Sequence, residues 1–269
     1  MEKTDTESFK KFEKFIAGTG DTYAFDGESS VRGSVMVTEV IRGMGLDPMN
    51  TDEFRKGILA MFNVEVLNMP DLGNSRLIFA PNHVSDFDAL VLGVLHPKIR
   101  IVSKDDWTNN EKLRIFLDAH YDLYGFDRSS VLGLRAMMKD ALGYFESGGS
   151  RHYLIFGQGT ISDFNKNSPE RISAVAQKIS VKADVPVVAV FMEQVSLHQP
   201  TRIVFDKPMQ LSKKDDFREL WLEREKALQS TLTPPARAPK LSYQHAHNNK
   251  PGDPFFSKKT KTKRGKDSK

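Results

Sequence analysis

Residues 76–95 read RLIFAPNHVSDFDALVLGVL and change character twice. Leu77–Ala80 is a short continuous apolar run, the pattern of a strand covered on both faces. A polar turn follows through Asn82, His83, Ser85 and Asp86, and residues 87–95 resume as an apolar helix. A side chain in such a strand-to-helix turn stands at the carboxyl edge of a sheet, where α/β proteins gather their sites. Working outward, further strand-length runs lie at 63–68, 98–103, 152–156, 185–192 and 201–206. Helical stretches lie at 110–119, 130–146, 169–182 and 213–229. Strands rich in Val, Ile and Phe that alternate with helices predict an α/β fold, a single mixed, largely parallel sheet flanked by helices. Upstream, Phe9, Phe12 and Ile16 recur at helical spacing over 5–17, and helices are expected over 31–44 and 51–61, the last capped from Thr51-Asp52-Glu53. The predicted organisation is a helical N-terminal extension over 1–62, an α/β domain over 63–230, and a basic, disordered tail over 231–269.

The chain has 269 residues and no cysteine, which excludes disulfides, cysteine nucleophiles and cysteine metal sites. A reducing, intracellular setting fits that composition. The first residues alternate charges and lack the apolar core of a signal peptide. No run reaches the 18 or so apolar residues that would span a bilayer. The net charge of +4 is unevenly placed: residues 1–75 carry −5, residues 76–230 carry +1 and residues 231–269 carry +8. The tail can therefore attract anionic lipid, nucleic acid or an acidic protein, or simply stay solvated.

Three segments carry chemistry. In the first, His83 and Asp88 are five apart across the turn, so the carboxylate can reach one imidazole nitrogen and leave the other free to accept a proton. A histidine that merely caps the helix, with Ser85 or Asp86, is the competing reading. The second is Gly125-Phe126-Asp127-Arg128-Ser129-Ser130, where Arg128 beside a helix start suits an anion. Its alternative is a pair of caps with a solvated arginine. The third is Phe156-Gly157-Gln158-Gly159-Thr160-Ile161-Ser162, in which two glycines allow close backbone approach to a ligand. It is neither a P-loop nor a nucleophile elbow, because no Lys follows and Gln stands where Ser would. The Val185-Pro186 strand is structural, and Lys104 ends the strand 98–103. Seven histidines without metal-ligand spacing imply no metal.

Together these segments resemble the glycerolipid acyltransferase family that includes the 1-acylglycerol-3-phosphate acyltransferases, the PlsC type. Residues 82–88 match the family's Asn-His-x-Ser-x-x-Asp at every fixed position. Gly125–Arg128 fits its second motif. Residues 156–162 keep the Phe, Gly, Thr and Ser of its Phe-Pro-Glu-Gly-Thr-Arg-Ser, and residues 185–190 match its Val-Pro strand. Lys104 fits a lysine found in many members. The resemblance spans about residues 62–210. It implies a glycerol-3-phosphate acyltransferase-like fold with His83 as general base and Asp88 as its orienter. Asn82, Ser85, Lys104, Arg128, Gly157, Gln158, Gly159 and Thr160 would bind substrate, the backbone N–H groups of the 157–160 loop serving the oxyanion. The donor would be acyl-CoA or acyl carrier protein and the acceptor a lysophosphatidic acid or other lyso-lipid, with no cofactor and no nucleic-acid partner. The expected setting is cytoplasmic, peripheral on the inner face of the membrane. Attachment would come through the basic tail or through the apolar faces of the N-terminal helices, Phe9, Phe12, Ile16, Ile58, Leu59, Met61 and Phe62. The sequence departs from the family at Gly157, Gln158 and Ile161. Ile161 replaces an arginine associated with the acceptor's phosphate. That leaves open a non-phosphate acceptor, such as a lyso-amino-acid lipid, or a lipid-binding protein without activity.

Overall fold

A computed structural model describes residues 6–18, 27–85, 87–159, 169, 172–193, 195 and 197–232. The tail beyond residue 232, with its expected disorder, lies outside them, as do Thr160, Ile161 and Ser162. Helices α1 (Glu7–Gly18), α2 (Gly27–Gly43) and α3 (Thr51–Met61) come first. Then β1 (Val64–Leu67) and β2 (Arg76–Pro81) lead to α4 (Phe87–Gly93), β3 (Ile99–Lys104), α5 (Asp105–Asn109) and α6 (Glu111–His120). The chain continues through β4 (Asp122–Phe126), α7 (Val131–Glu146), β5 (Arg151–Leu154), α8 (Val175–Ala183), β6 (Val187–Met192), β7 (Thr201–Phe205) and α9 (Phe217–Ser230).

The strands form one seven-stranded sheet in the order β1-β7-β6-β2-β5-β3-β4. All neighbouring pairs are parallel except β6–β7, so the sheet is mixed and largely parallel as expected. The period-2 alternation of strand side chains divides β2 between two cores. Leu77 and Phe79 join the apolar cluster that holds residues of α1, α2, α3, α4 and α6, while Ile78 and Ala80 join the one formed with α7, α8 and α9. Burial on both faces explains the unbroken apolar run.

Some elements differ from the sequence reading. β4 is a strand, although Asp122 and Gly125 interrupt its apolar pattern, and the short helix α5 follows β3 directly. The cap of α3 is Asn50, one residue before the expected cluster; its side chain accepts from Asp52 N at 3.0 Å and Glu53 N at 3.1 Å. α8 begins at Val175, later than the expected 169, because Ser173 bonds Val175 N and Gly157 O ahead of the helix.

The apolar faces of the N-terminal helices are not a membrane surface. Phe9, Phe12, Ile58, Met61 and Phe62 are buried, and Leu59 is partly buried against the same cluster. Phe12 packs edge-on to Phe87 of α4 with ring centroids 6.0 Å apart, and Phe62 lies 5.1 Å from the same ring. Burial of each such side chain contributes about 1.5–3 kcal/mol to the fold. The side chain of Ile16 is outside the described residues.

Candidate active site

Five parallel strands, β6, β2, β5, β3 and β4, present their carboxyl ends on one edge of the sheet. That shared polarity gathers segments far apart in sequence: the 82–88 turn after β2, the 156–159 loop after β5, Lys104 at the end of β3, and Arg128 after β4.

The turn after β2 is organised around one carboxylate. Asp88 is completely buried, in the first turn of α4. Its Oδ2 accepts from Val84 N at 2.5 Å and Ser85 N at 2.8 Å, and stands 3.0 Å from His83 Nδ1. Its Oδ1 accepts from Ser85 Oγ at 2.7 Å. An acceptor surrounded by two backbone donors and a hydroxyl calls for a proton on His83 Nδ1, which leaves Nε2 as the basic nitrogen. The His83 side chain keeps 15% of its surface exposed, and Nε2 has no hydrogen-bond partner among the described residues. The ring stacks on Phe156, with centroids 4.0 Å apart and planes at 19°, so the imidazole is held in both orientation and tautomer.

Other residues expected to touch substrate are committed to holding this turn. Asn82 is fully buried; its Nδ2 donates to Met192 O at 2.8 Å and its Oδ1 accepts from Met192 N at 2.7 Å. It clamps the start of the turn to the end of β6. Ser85 is buried against Asp88. Gln158 is buried, and its Oε1 accepts the His83 backbone N–H. Where the family has a glutamate, the neutral amide here accepts one hydrogen bond without placing a second carboxylate beside Asp88.

The glycine loop differs from the expectation of an oxyanion site. Gly157 N donates to Pro81 O at 3.0 Å, and Gly159 N donates to Phe156 O at 3.0 Å, so both amides are occupied. Gly157 is small for a packing reason: a Cβ there would sit 2.8 Å from the Trp221 ring. Trp221 of α9 in turn donates from Nε1 to Ala80 O at 2.7 Å, bracing β2 just before the turn. Gly159 has φ +65°, the left-handed region that suits glycine. Thr160, the remaining member of that set, lies outside the described residues.

Arg128 is buried and its Nη1 donates to Gly159 O, tying the segment after β4 to the loop after β5. Lys104 is half-buried at the start of α5, paired in register with Phe126 of β4. Among the described residues no three side chains gather as a metal-binding group.

Sequence reading missed a neighbouring feature. A small apolar cleft lies beside α4, walled by Phe87 and Leu90, by Ser34 and Val37 of α2, by Trp107 of α5 and by Phe116 of α6. Phe87, one of its walls, is the residue before Asp88 in α4. No local motif announces it, since four elements contribute its walls.

A carboxylate-held imidazole at the carboxyl edge of a doubly covered sheet is an arrangement able to take a proton from a substrate hydroxyl. The chain belongs to the Acyltransferase family, whose sequence profile matches residues 54–193, just over half of its length. It is an acyltransferase. Among solved structures it is similar to the crystal structure of the 1-acyl-sn-glycerophosphate (LPA) acyltransferase, PlsC, from Thermotoga maritima. The TM-score is 0.50 and the identity 17%, over 87% of this chain and 100% of the other. At that identity the likeness concerns the fold, and it matches the single mixed sheet described above. No match was found among curated proteins.

Proposed function

We propose that this enzyme transfers a fatty acyl group from a thioester, acyl-CoA or acyl carrier protein, to a hydroxyl of a lyso-lipid at the membrane surface. The observation that carries the reading is the His83–Asp88 pair at the carboxyl edge of the parallel strands. Nε2 of His83 takes the proton of the acceptor hydroxyl as its oxygen attacks the thioester carbonyl. The C–O bond forms, the tetrahedral intermediate collapses, the C–S bond breaks, and the thiol leaves with the proton returned from the imidazolium. Asp88 holds the Nδ1–H tautomer and stabilises the imidazolium between those steps. Ser85 and Asn82 position this pair. The apolar cleft beside Phe87 offers an apolar wall for the start of the fatty chain, at about 0.8 kcal/mol per methylene buried. Arg128 and Lys104 supply the cationic groups on this edge for an anionic acceptor or for the phosphates of the donor. We take a lysophosphatidic acid as the acceptor, from the resemblance of residues 82–88 and 125–128 to the motifs of the 1-acylglycerol-3-phosphate acyltransferases.

Purified protein incubated with labelled acyl-CoA or acyl carrier protein of graded chain length, and with a panel of lyso-lipids, tests the reading. Transfer is expected with a chain-length optimum, and His83→Ala should abolish it while leaving the thermal melt unchanged. Near-normal turnover by His83→Ala would remove the mechanism. Equal rates on phosphate and non-phosphate acceptors would remove the phosphate role of Arg128 and Lys104.

A further inference from the structure

We propose that the exposed apolar pair Val131–Leu132, on the first turn of α7, is the surface that seats this enzyme on an anionic lipid bilayer; the inference rests on the reading of the acceptor as a bilayer lipid. Val131 is 53% and Leu132 73% exposed. Exposed apolar residues scattered singly need no explanation, but two in sequence beside a catalytic edge do. β4 ends at Phe126 on the same sheet edge as His83, and α7 starts five residues later, so the pair projects from the rim of the site.

The other exposed large apolar residues lie elsewhere. Met49 precedes α3. Leu67 ends β1, which pairs parallel to β7 and so runs against β6, placing Leu67 and the following Met69 toward the opposite edge. Val35 and Ile115 are single residues on α2 and α6. The N-terminal apolar faces are buried in the core.

The charges around the pair favour an anionic surface. The first turn of α7 has no acidic residue, and Arg135, one turn on, is exposed. Asp127, the nearest acid in sequence, turns its Oδ1 back onto Ser129 N and Oγ, at 2.9 and 2.6 Å. Basic groups near such a surface attract it, and apolar side chains dipping past the headgroups add burial.

The pair is also linked to the reaction centre by a short path. Arg128, three residues before Val131, donates to Gly159 O, and the adjacent Gln158 accepts the backbone N–H of His83. A lipid seated under the α7 turn therefore meets Arg128 and then the edge that carries His83.

The test uses the full chain and sedimentation with phosphatidylglycerol vesicles, without acyl donor or acceptor. Leu132→Asp and Val131→Asp should each lower partitioning about tenfold or more, the equivalent of about 1.4 kcal/mol. Met49→Asp, at a site that is 72% exposed but away from this edge, should stay within twofold of wild type. Leu132→Trp should gain a tryptophan emission, over that of wild type, that shifts to the blue on vesicles. Wild-type protein that fails to bind, unchanged binding by both aspartate variants, equal loss in Met49→Asp, or an unshifted emission from Leu132→Trp would each overturn the proposal. Because binding is read without turnover, a protein that docks through Leu132 yet transfers no acyl group would refute the functional reading and leave this one standing. If both hold, Leu132→Asp loses activity on vesicle-embedded acceptor and keeps it on a short-chain acceptor dissolved as monomer.

Discussion

Asp88 accepts from Val84 N, Ser85 N and Ser85 Oγ and holds His83 Nδ1, yet it is wholly inaccessible to solvent. A buried carboxylate is tolerable only when donors replace its water, and here the turn itself supplies them. The same contacts that fold the turn therefore fix the base. Asp88→Asn keeps the size but turns two donors toward the donors of the turn. It should lower turnover by about four orders of magnitude, as expected when an orienting carboxylate is lost. It should also cost about 1–3 kcal/mol of stability for the mispaired groups. Activity and melting measured on one preparation separate the two effects. A variant that melts earlier but turns over normally would make Asp88 a folding residue only. The pairing of His83 with Asp88 was legible from five-residue spacing across a turn. The duties of Asn82 and Gln158 were not, because their partners, Met192 O and the His83 backbone, lie 110 and 75 residues away in sequence.

Among the elements, those with uninterrupted apolar periodicity were legible and those set by their neighbours were not. β2 and β6 announced themselves because both faces are covered. β4 did not: its edge position leaves Asp122–Gly125 only partly buried, and Gly125 breaks the strand pattern. Gly157 read as a ligand-approach residue, and its actual constraint, the Trp221 ring, comes from α9. That helix also carries a cost. Glu225, one turn after Trp221, is fully buried, with no side chain bonding either carboxyl oxygen and the Val190 backbone beside it. Burial pushes its acidity well above the usual carboxylate range, and nearby Asp206 adds to the effect. A raised folded-state value means the folded chain keeps a proton that the unfolded chain releases above about pH 4.5. Stability therefore falls as pH rises through that window. Glu225→Gln abolishes the difference. It should melt with wild type near pH 4 and progressively above it toward pH 8. A gap that stays constant or narrows with pH would show that Glu225 is ionised in the fold.

At the scale of the whole molecule, charge and apolar exposure are separated. The acidic surplus lies in residues 1–75, residues 76–230 are nearly neutral, and the +8 surplus lies in residues 231–269. No helix among the described residues is long and apolar enough to cross a membrane. The surface attachment proposed above has two physically different candidate sources: a short-range apolar one on α7, and a long-range coulombic one in the tail, where Phe255-Phe256 precede Lys258, Lys259, Lys261, Lys263, Arg264 and Lys266. Salt distinguishes them, since screening shortens the reach of charge to about 8 Å at physiological ionic strength and leaves apolar burial largely intact. Removing residues 251–269 should weaken binding to anionic vesicles without changing the melt, and should flatten the dependence of binding on salt. Leu132→Asp should weaken it and leave the salt dependence as steep as before. Because the two sources act through different forces, their losses should add in the double variant to within about 0.5 kcal/mol. Binding that is indifferent both to truncation and to salt would take the tail out of membrane attachment and leave α7 to account for all of it.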